Sequence, residues 1–395
     1  MNFIDRRDFL KRGIVGAAGI MALSPSLIAL PDQGKNIIYR TLGKTGMNVP
    51  VISFGVMRAD NPNLCKAAYE KGIKLFDTAN AYQNGNNEIM LGNLFKDYPR
   101  DSFFLATKVR AGGVDKDGKP TKETTSEDFI NKFNISLSRL KMSYVDILYV
   151  HSVNNPELVE HKPILKALKK LKKEGRIKFT GISTHSHEAA VINAAAATDN
   201  WDVILTSYNF MQTYREELNS AIRKASEAGI GIVAMKTMAG GGFFDKEKTK
   251  PINTTAALKW ALSNTDITTA IPGMTEFDQL DLNIKILTDI TMTEDEKKAL
   301  IVPTAETGLY CNGCSICIPQ CPKNLRVPEY MRAYMYAYGY SKPSMAHSLL
   351  SKLGTNDDPC SGCQTCKVDC VKNFRIREKI ADISRLVNVP VDFLT

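Results

Sequence analysis

The chain alternates short β-branched or aromatic runs with amphipathic stretches, and eight such runs occur between residues 51 and 273. Runs of this kind predict strands, and the stretches between them carry helical signals such as Thr125 three residues before Asp128. Eight strand–helix units over about 250 residues predict a (β/α)8 TIM barrel of the α/β class. A doubly wound open sheet would carry a G-x-G-x-x-G turn after its first strand, and none follows here. The predicted strands are Val51–Gly55, Lys74–Ala79, Phe103–Lys108, Tyr144–His151, Ile177–Thr184, Val203–Asn209, Gly231–Thr237 and Thr269–Gly273, preceded by a β-hairpin over Ile37–Phe54 that turns at Gly43–Gly46.

The composition is that of an ordinary globular protein. The 395 residues are 44% apolar and 24% charged, and 51 Lys plus Arg against 42 Asp plus Glu give a formal charge of +9. These values exclude disordered, collagen-like and polytopic membrane proteins. The lysine-rich segment Lys162–Lys173 holds apolar residues at helical spacing, so we interpret its lysines as the exposed face of an outer helix and expect no nucleic-acid partner.

Four polar residues of different chemistry follow three consecutive predicted strands. Asp77 and Tyr82 follow the second strand, Lys108 ends the third and His151 ends the fourth. The C-terminal strand ends of a (β/α)8 barrel meet at one mouth, where active groups lie. We therefore expect a carboxylate, a phenol, an ammonium and an imidazole to face one site.

The motifs around these residues resemble those of the aldo-keto reductase family, over about residues 37–300. They read Phe-Asp-Thr-Ala-Asn-Ala-Tyr at 76–82, Ala-Thr-Lys at 106–108 and Asp-Ile-Leu-Tyr-Val-His-Ser at 146–152. The resemblance implies interconversion of a carbonyl and an alcohol by hydride transfer with a nicotinamide cofactor. It also implies that Tyr82 is the general acid/base, that Lys108 pairs with Asp77 and lowers the pKa of Tyr82, and that His151 orients the carbonyl.

The positions that would hold the nicotinamide cofactor match the family less closely. The family's Ser-Asn after strand five is Ser183-Thr184 here, and its Gln on strand six is Leu205. The segment 274–283 after strand eight has three acids and no base, so it would repel the 2′-phosphate of NADP. We therefore expect that the protein either discriminates only weakly in favour of NADP or prefers NAD. The residues implied for cofactor binding are Ser183, Thr184, Tyr208, Asn209, Gly240, Gly241, Gly273 and Asn283.

Eight of the nine cysteines fall in the last 85 residues, in two runs of the form C-x-x-C-x-x-C-x-x-x-C. This spacing is typical of iron–sulfur ligation, whereas zinc sites use separated C-x-x-C pairs or add His. The runs resemble those of a two-cluster bacterial ferredoxin, although Val371 replaces the usual proline and a long tyrosine-rich stretch separates the runs. The resemblance implies two [4Fe–4S] clusters with exchanged fourth ligands, while disulfides and zinc remain alternatives. The two ligand sets would be Cys311, Cys314, Cys317 with Cys370, and Cys360, Cys363, Cys366 with Cys321.

The first 30 residues have the order of an export signal. Arg6-Arg7 is followed by Phe9-Leu10-Lys11 and then by an uncharged segment over 13–30, which resembles a twin-arginine signal. We expect export to the periplasm, with membrane contact only through an uncleaved N-terminal segment. The alternatives are a buried helix with a basic start and, if the signal is vestigial, a cytoplasmic protein.

These features predict three segments: a signal over 1–34, the barrel over 35–300 and a ferredoxin-type domain over 301–395. The expected function is a carbonyl–alcohol oxidoreductase coupled to electron transfer by the clusters. The alternative is an exported electron-transfer or partner-binding protein whose barrel has lost nicotinamide chemistry. The expected partners are a small carbonyl or alcohol substrate and a redox protein or quinone.

Overall fold

The structure is a computed structural model that describes residues 36–212, 214–238, 252–300, 311, 313–339 and 342–394. The predicted signal over 1–34 lies outside the described residues, as do Gly240 and Gly241. The predicted domain boundaries adjoin the undescribed segments 1–35 and 301–310 and stay predictions. Within the described ranges, no helix is both long enough and apolar enough to cross a bilayer.

Eight parallel strands form the predicted barrel. Each of the eight strands pairs with the next along the chain. Parallel bridges between Ile52 and Ala270 and between Gly55 and Gly273 connect the first of these strands to the last. A Cβ atom on Gly55 would lie 2.7 Å from the carbonyl oxygen of Ile271, so a glycine is needed where the two backbones meet. The strands are β3 Phe54–Gly55, β4 Leu75–Asp77, β5 Phe104–Val109, β6 Val145–Val150, β7 Ile177–Thr184, β8 Val203–Ser207, β9 Gly231–Met235 and β10 Thr269–Ala270.

The predicted hairpin is formed by β1 (Tyr39–Thr41) and β2 (Asn48–Pro50), which pair antiparallel. Its side chains Leu42, Met47 and Val49 belong to the core inside the barrel. The amide of Lys44 in its turn donates to the carbonyl of Gly229, just before β9 begins. The hairpin therefore closes the N-terminal end of the barrel, opposite the mouth where the site is expected.

Helices surround the barrel, and a second core lies between them and the strands. Capping residues mark where several of these helices begin. At one of them, the side chain of Thr125 accepts a hydrogen bond from the amide of Asp128, as the sequence pattern predicts. The helices are α1 Pro62–Glu70, α2 Asn86–Phe95, α3 Ser126–Leu140, α4 Pro156–Val159, α5 Lys162–Lys173, α6 Glu188–Ala196, α7 Arg215–Glu227, α8 Thr254–Ser263, α9 Phe277–Ile286 and α10 Glu294–Ala299.

The C-terminal part is helical and has its own core. It contains α11 (Val327–Tyr334), a π-helical turn at Met335–Gly339, α12 (Pro343–Lys352) and α13 (Ile376–Ser384), and no strand is present among its described residues. The long stretch between the two cysteine runs thus forms α11, the π turn and α12. Buried residues of all three helices pack together with Cys317 and Cys360 in one apolar cluster.

Candidate active site and cluster sites

The four predicted residues meet at the mouth of the barrel. Asp77 is the last residue of β4, Lys108 lies in β5, His151 follows β6 and Tyr82 begins a short 3-10 turn. The Lys108 Nζ donates to Asp77 Oδ1, to the carbonyl oxygen of Thr78 at 2.8 Å and to the Tyr82 hydroxyl at 3.4 Å. The rings of Tyr82 and His151 meet edge to face, with their centroids 5.8 Å apart. One ammonium therefore connects a buried carboxylate to a phenol that faces an imidazole.

The electrostatics of the phenol differ from the sequence-based expectation. Burial raises the pKa of Tyr82, Lys108 opposes this and Asp77 adds to it, so the net pKa lies above the ordinary tyrosine value. Lys108 does lower the pKa of Tyr82, as expected, but this effect is smaller than the opposite effect of burial, because removing a phenolate from water is costly. Tyr82 is therefore a protonated phenol at neutral pH, which suits a proton donor.

The imidazole of His151 is neutral. Burial lowers its pKa well below the ordinary value, and the nearby cations Arg110, Lys108 and Arg332 lower it further. Its Nδ1 is buried with no hydrogen-bond partner in the described part of the chain. An unpaired buried ring nitrogen is unfavourable unless a ligand or water meets it.

These residues line a cavity that both parts of the chain build. The barrel contributes residues from the ends of seven strands, and the C-terminal part contributes Met335, Tyr336 and Met345. Two non-glycine residues in its wall, Ser152 and Lys236, have φ values of 58° and 56°. Such left-handed conformations are unfavourable for ordinary side chains and cluster at functional sites.

The structure brings only some of the predicted cofactor-binding residues to this cavity. Ser183 and Gly273 line it, and the Ser183 hydroxyl accepts a hydrogen bond from the amide of Ser152 at 2.9 Å. Tyr208 instead stacks on Trp260, with its ring centroid 5.1 Å away. Thr184, Asn209 and Asn283 are buried and do not line the cavity.

A hydrogen-bonded chain connects the C-terminal helices to the barrel mouth. The Arg332 Nη2 on α11 donates to His185 Nδ1 at 2.8 Å, and His185 Nε2 lies 3.4 Å from the Ser152 hydroxyl. A guanidinium has donors only, so Nδ1 is the acceptor and Nε2 carries the proton. Burial and the charge of Arg332 lower the pKa of His185 well below its ordinary value, consistent with this neutral form.

The eight C-terminal cysteines line two separate cavities, and each cavity is lined by one of the two ligand sets that the ferredoxin resemblance implies. Cys311, Cys314, Cys317 and Cys370 line one, and the other four line the second. All nine cysteines are free thiols, which disagrees with the disulfide alternative. No group of three or more His, Cys, Asp or Glu in the described ranges could hold a single metal ion. Four sulfurs around a space, rather than around one point, fit a polynuclear cluster better than zinc.

Two thiols of the first set favour the protonated form in the absence of iron. The pKa of Cys317 is raised to about 12 and that of Cys311 to about 11, first by burial and partly by neighbouring cysteines. Thiolate ligands would therefore form only together with a cationic centre that compensates their charge.

Four functional candidates were missed by the sequence analysis. Arg110, His185 and Lys236 each lie one residue beyond the end of β5, β7 and β9, respectively, and line the cavity. The strand-end rule that identified Lys108 and His151 would also have found them. Arg332 had no such signal, because its contact with His185 joins residues 147 positions apart.

Comparisons with known proteins identify both parts of the chain. The model of the aldo/keto reductase family matches residues 53–256, and that of a 4Fe-4S dicluster domain matches residues 310–375. The aldo-keto reductase AFTS1 of Alternaria alternata is 28% identical, over 53% of this chain and 67% of its own length. The L-galactose dehydrogenase of Arabidopsis thaliana is 27% identical, over 70% of this chain and 99% of its own. An aldo-keto reductase from Bacillus halodurans has the same fold, with a TM-score of 0.55 and 23% identity over 67% of this chain and 95% of its own.

Proposed function

Because the chain belongs to the aldo/keto reductase family and is an oxidoreductase, we propose that it interconverts a carbonyl and an alcohol, with Tyr82 exchanging the proton. The observation that carries this proposal is the contact of Lys108 with both Asp77 and Tyr82 at the mouth of the barrel. The arrangement places a proton donor, its supporting cation and a neutral imidazole around one cavity.

In the direction of reduction, Tyr82 protonates the carbonyl oxygen as negative charge develops there. Lys108 stabilises the phenolate that remains, and Asp77 keeps Lys108 charged and in place. His151 faces the same oxygen and contributes as a neutral hydrogen-bonding group. Regeneration of Tyr82 from solvent completes the proton balance.

The cavity wall fits a nicotinamide dinucleotide in part. Ser183 offers a hydroxyl for the carboxamide, and Arg58 offers a cation for the pyrophosphate. Lys236 lies on the same side of the cavity; burial and the charge of Arg332 lower its pKa to about 7, and a bound pyrophosphate would favour its charged form. The bound nicotinamide would supply the hydride. Glu276, Asp278 and Asp281 lie exposed at the start and on the surface of α9, which supports our proposal that NADP is not preferred over NAD.

The C-terminal domain is an iron–sulfur domain, and we propose that it holds two [4Fe–4S] clusters that exchange electrons with the barrel. Clusters supply one-electron transfer when bound, and a hydride carries two electrons. The supporting observation is the position of Gly313 between Cys311 and Cys314: a Cβ atom built there lies 2.8 Å from the carbonyl oxygen of His185, in the cavity wall. We further propose twin-arginine export to the periplasm, on the Arg6-Arg7 motif, and a redox protein or quinone as the external partner.

The test is anaerobic oxidation of NADH and NADPH by a panel of aldehydes. Tyr82→Phe should lower kcat by about 10²- to 10⁴-fold, the usual contribution of a positioned general acid. Tyr98→Phe is the matched control, because Tyr98 packs in an aromatic cluster against Tyr69 and Phe95, outside the cavity. Equal activity of Tyr82→Phe and the parent protein would refute the proposed role.

A second candidate is an electron-transfer protein without nicotinamide chemistry. The observation that favours it is the placement of Thr184, Tyr208 and Asn209 outside the cavity. This candidate predicts reversible one-electron reduction of the protein but no aldehyde-dependent oxidation of either nucleotide. Aldehyde-dependent oxidation that requires Tyr82 would exclude it.

A further inference from the structure

The cavity is lined by more basic than acidic side chains. Its charged lining residues are Asp77, Lys108, Arg58, Arg110 and Lys236. Asp77 and Lys108 neutralise each other through their ion pair. Asp77 is the only carboxylate among the described residues that line the cavity. Burial lowers the pKa of Lys236 to about 7, so Arg58 and Arg110 are the side chains that keep a positive charge there beside the ion pair. A cationic, partly enclosed site concentrates anions.

Arg110 lies at the end of the cavity where the carbonyl would react. It follows the last residue of β5, Val109, whose carbonyl oxygen accepts a hydrogen bond from the amide of His151 at 2.8 Å. Side chains two residues apart on a strand share a face, so Arg110 continues the inward face of Lys108. The sheet register therefore places Arg110 beside His151, and the charge of Arg110 contributes to lowering the pKa of that imidazole.

The other two cations come from a different side of the barrel. Arg58 follows β3 and Lys236 follows β9, and these strands flank β10. Arg110 comes from β5, next to β6, which carries His151 at its end. The positive charge is thus divided between a β9–β10–β3 side, which the proposed function assigns to the pyrophosphate, and a β5–β6 side that it leaves unassigned.

Arg110 is available to a ligand. Its side chain is exposed to the cavity opening, and the part of the chain that the structure describes provides it with no ion pair. A planar guanidinium binds a carboxylate or phosphate through two parallel hydrogen bonds. An unpaired arginine beside the reactive groups therefore fits an anionic end of the substrate.

We propose that the cavity selects carbonyl compounds that carry a carboxylate or phosphate group, and that Arg110 binds this anion. The inference rests on the proposed function, because it assigns the substrate class of the same site. Met57, Met335, Met345 and Tyr336 form the apolar wall against which the carbon chain of the substrate would pack. Two of these methionines and the tyrosine come from the C-terminal domain, so that domain takes part in substrate selection.

The kinetic test compares each anionic substrate with a neutral partner of similar shape. Suitable pairs are para-carboxybenzaldehyde with its methyl ester and a short hydroxyaldehyde phosphate with its unphosphorylated form; the two pairs separate carboxylate from phosphate. The parent protein should favour the anionic member of at least one pair in kcat/KM. In Arg110→Gln that preference should fall by about 10- to 100-fold, the effect of losing a charge-assisted hydrogen bond, with most of the change in KM. Arg110→Lys should lie between the two, because it keeps the charge and loses the planar fork.

The control is Arg223→Gln. Arg223 lies on α7, outside the cavity lining, and pairs with Asp266 at 3.7 Å. This variant should keep the full preference for the anionic members. Equal kcat/KM for anionic and neutral members in the parent protein would overturn the inference, as would a preference that survives in Arg110→Gln.

A binding measurement separates this inference from the proposed function. Calorimetric titration of the cluster-loaded protein with para-carboxybenzyl alcohol and its methyl ester needs no turnover. Tighter binding of the carboxylate that is lost in Arg110→Gln supports the anion site even if no reductase activity is found. Equal binding of the acid and the ester, in a protein that reduces aldehydes, would overturn the anion site and leave the proposed reaction standing.

Discussion

Replacing Lys108 with methionine should destabilise the barrel because it leaves a buried charge without its partner. Asp77 and Lys108 are 3% and 1% exposed, and Lys108 is the cation that the Asp77 carboxylate contacts. Removing one partner of a buried ion pair costs about 3–5 kcal/mol, most of which is the desolvation of the charge that remains. Lys108→Met should therefore lower the free energy of unfolding by an amount in that range. The double variant Asp77→Asn/Lys108→Met should recover most of the loss, since no buried charge is left.

The measurement is urea unfolding of the anaerobic, cluster-loaded protein, followed by a signal from the barrel. Lys71→Met is the matched control, because Lys71 also forms an ion pair, with Asp281 at 3.1 Å, but both of these side chains are exposed. Such a pair contributes about 0–1 kcal/mol. A double variant no more stable than Lys108→Met alone would refute the reasoning, because the loss would then come from packing and not from charge.

The same variant has a pH signature with a definite sign. Burial raises the pKa of Asp77 in the folded protein above its unfolded value, and Lys108 opposes this. A carboxyl with a raised folded pKa stabilises the fold at low pH and loses that contribution as pH rises through the folded pKa. Without Lys108 the pKa rises further. The stability deficit of Lys108→Met should therefore shrink as the pH falls through the folded pKa of Asp77. A deficit independent of pH would contradict an uncompensated carboxylate.

Three further predictions concern the reaction and the cofactors. Because burial raises the pKa of Tyr82, kcat for carbonyl reduction should stay constant through neutral pH and fall only above about pH 10; a loss that begins near neutrality would show that the phenol titrates early. Cys321→Ser and Cys370→Ser should each remove about half of the iron, because each cysteine would be a ligand of one cluster. Cys65→Ala, in the apolar core of the barrel, should remove none. If only one of the two serine variants lost iron, and lost all of it, the result would contradict two clusters that exchange their fourth ligands. Equilibrium titration should show NADPH binding no more than about tenfold tighter than NADH, because the acidic segment 274–283 repels a 2′-phosphate; a larger ratio would refute the predicted cofactor preference.

The eight strands could be predicted because each one is a short apolar run between helical segments. The residues at which the strands end were predicted less accurately. The run Thr269–Gly273 predicts five strand residues, but the ladder of β10 ends at Ala270, and Pro272 has no amide hydrogen to continue it. Asp77, Tyr82, Lys108 and His151 could be predicted to share a site because the C-terminal ends of the strands in a parallel barrel lie together at one mouth.

The rest of the site depends on contacts that no local pattern encodes. The burial that raises the pKa of Tyr82 is produced by the assembled cavity, to which Met335 and Tyr336 of a later segment contribute. The contact between Arg332 and His185 joins the C-terminal helices to β7 with no periodic signal at either end. The placement of Tyr208 against Trp260 likewise reflects packing of the outer helices.

The proposed exchange of the fourth cysteine between the two runs would have a consequence for biosynthesis. The cavity of the first set includes Cys370, and that of the second includes Cys321 together with Cys366. Neither ligand set is complete until the ribosome has passed residue 366 or 370, so translation presents both sites to the iron–sulfur loading machinery at almost the same moment. With these ligand sets, loading of both proposed clusters would follow synthesis of the whole barrel, and a chain arrested within α12 would be unable to complete either cluster.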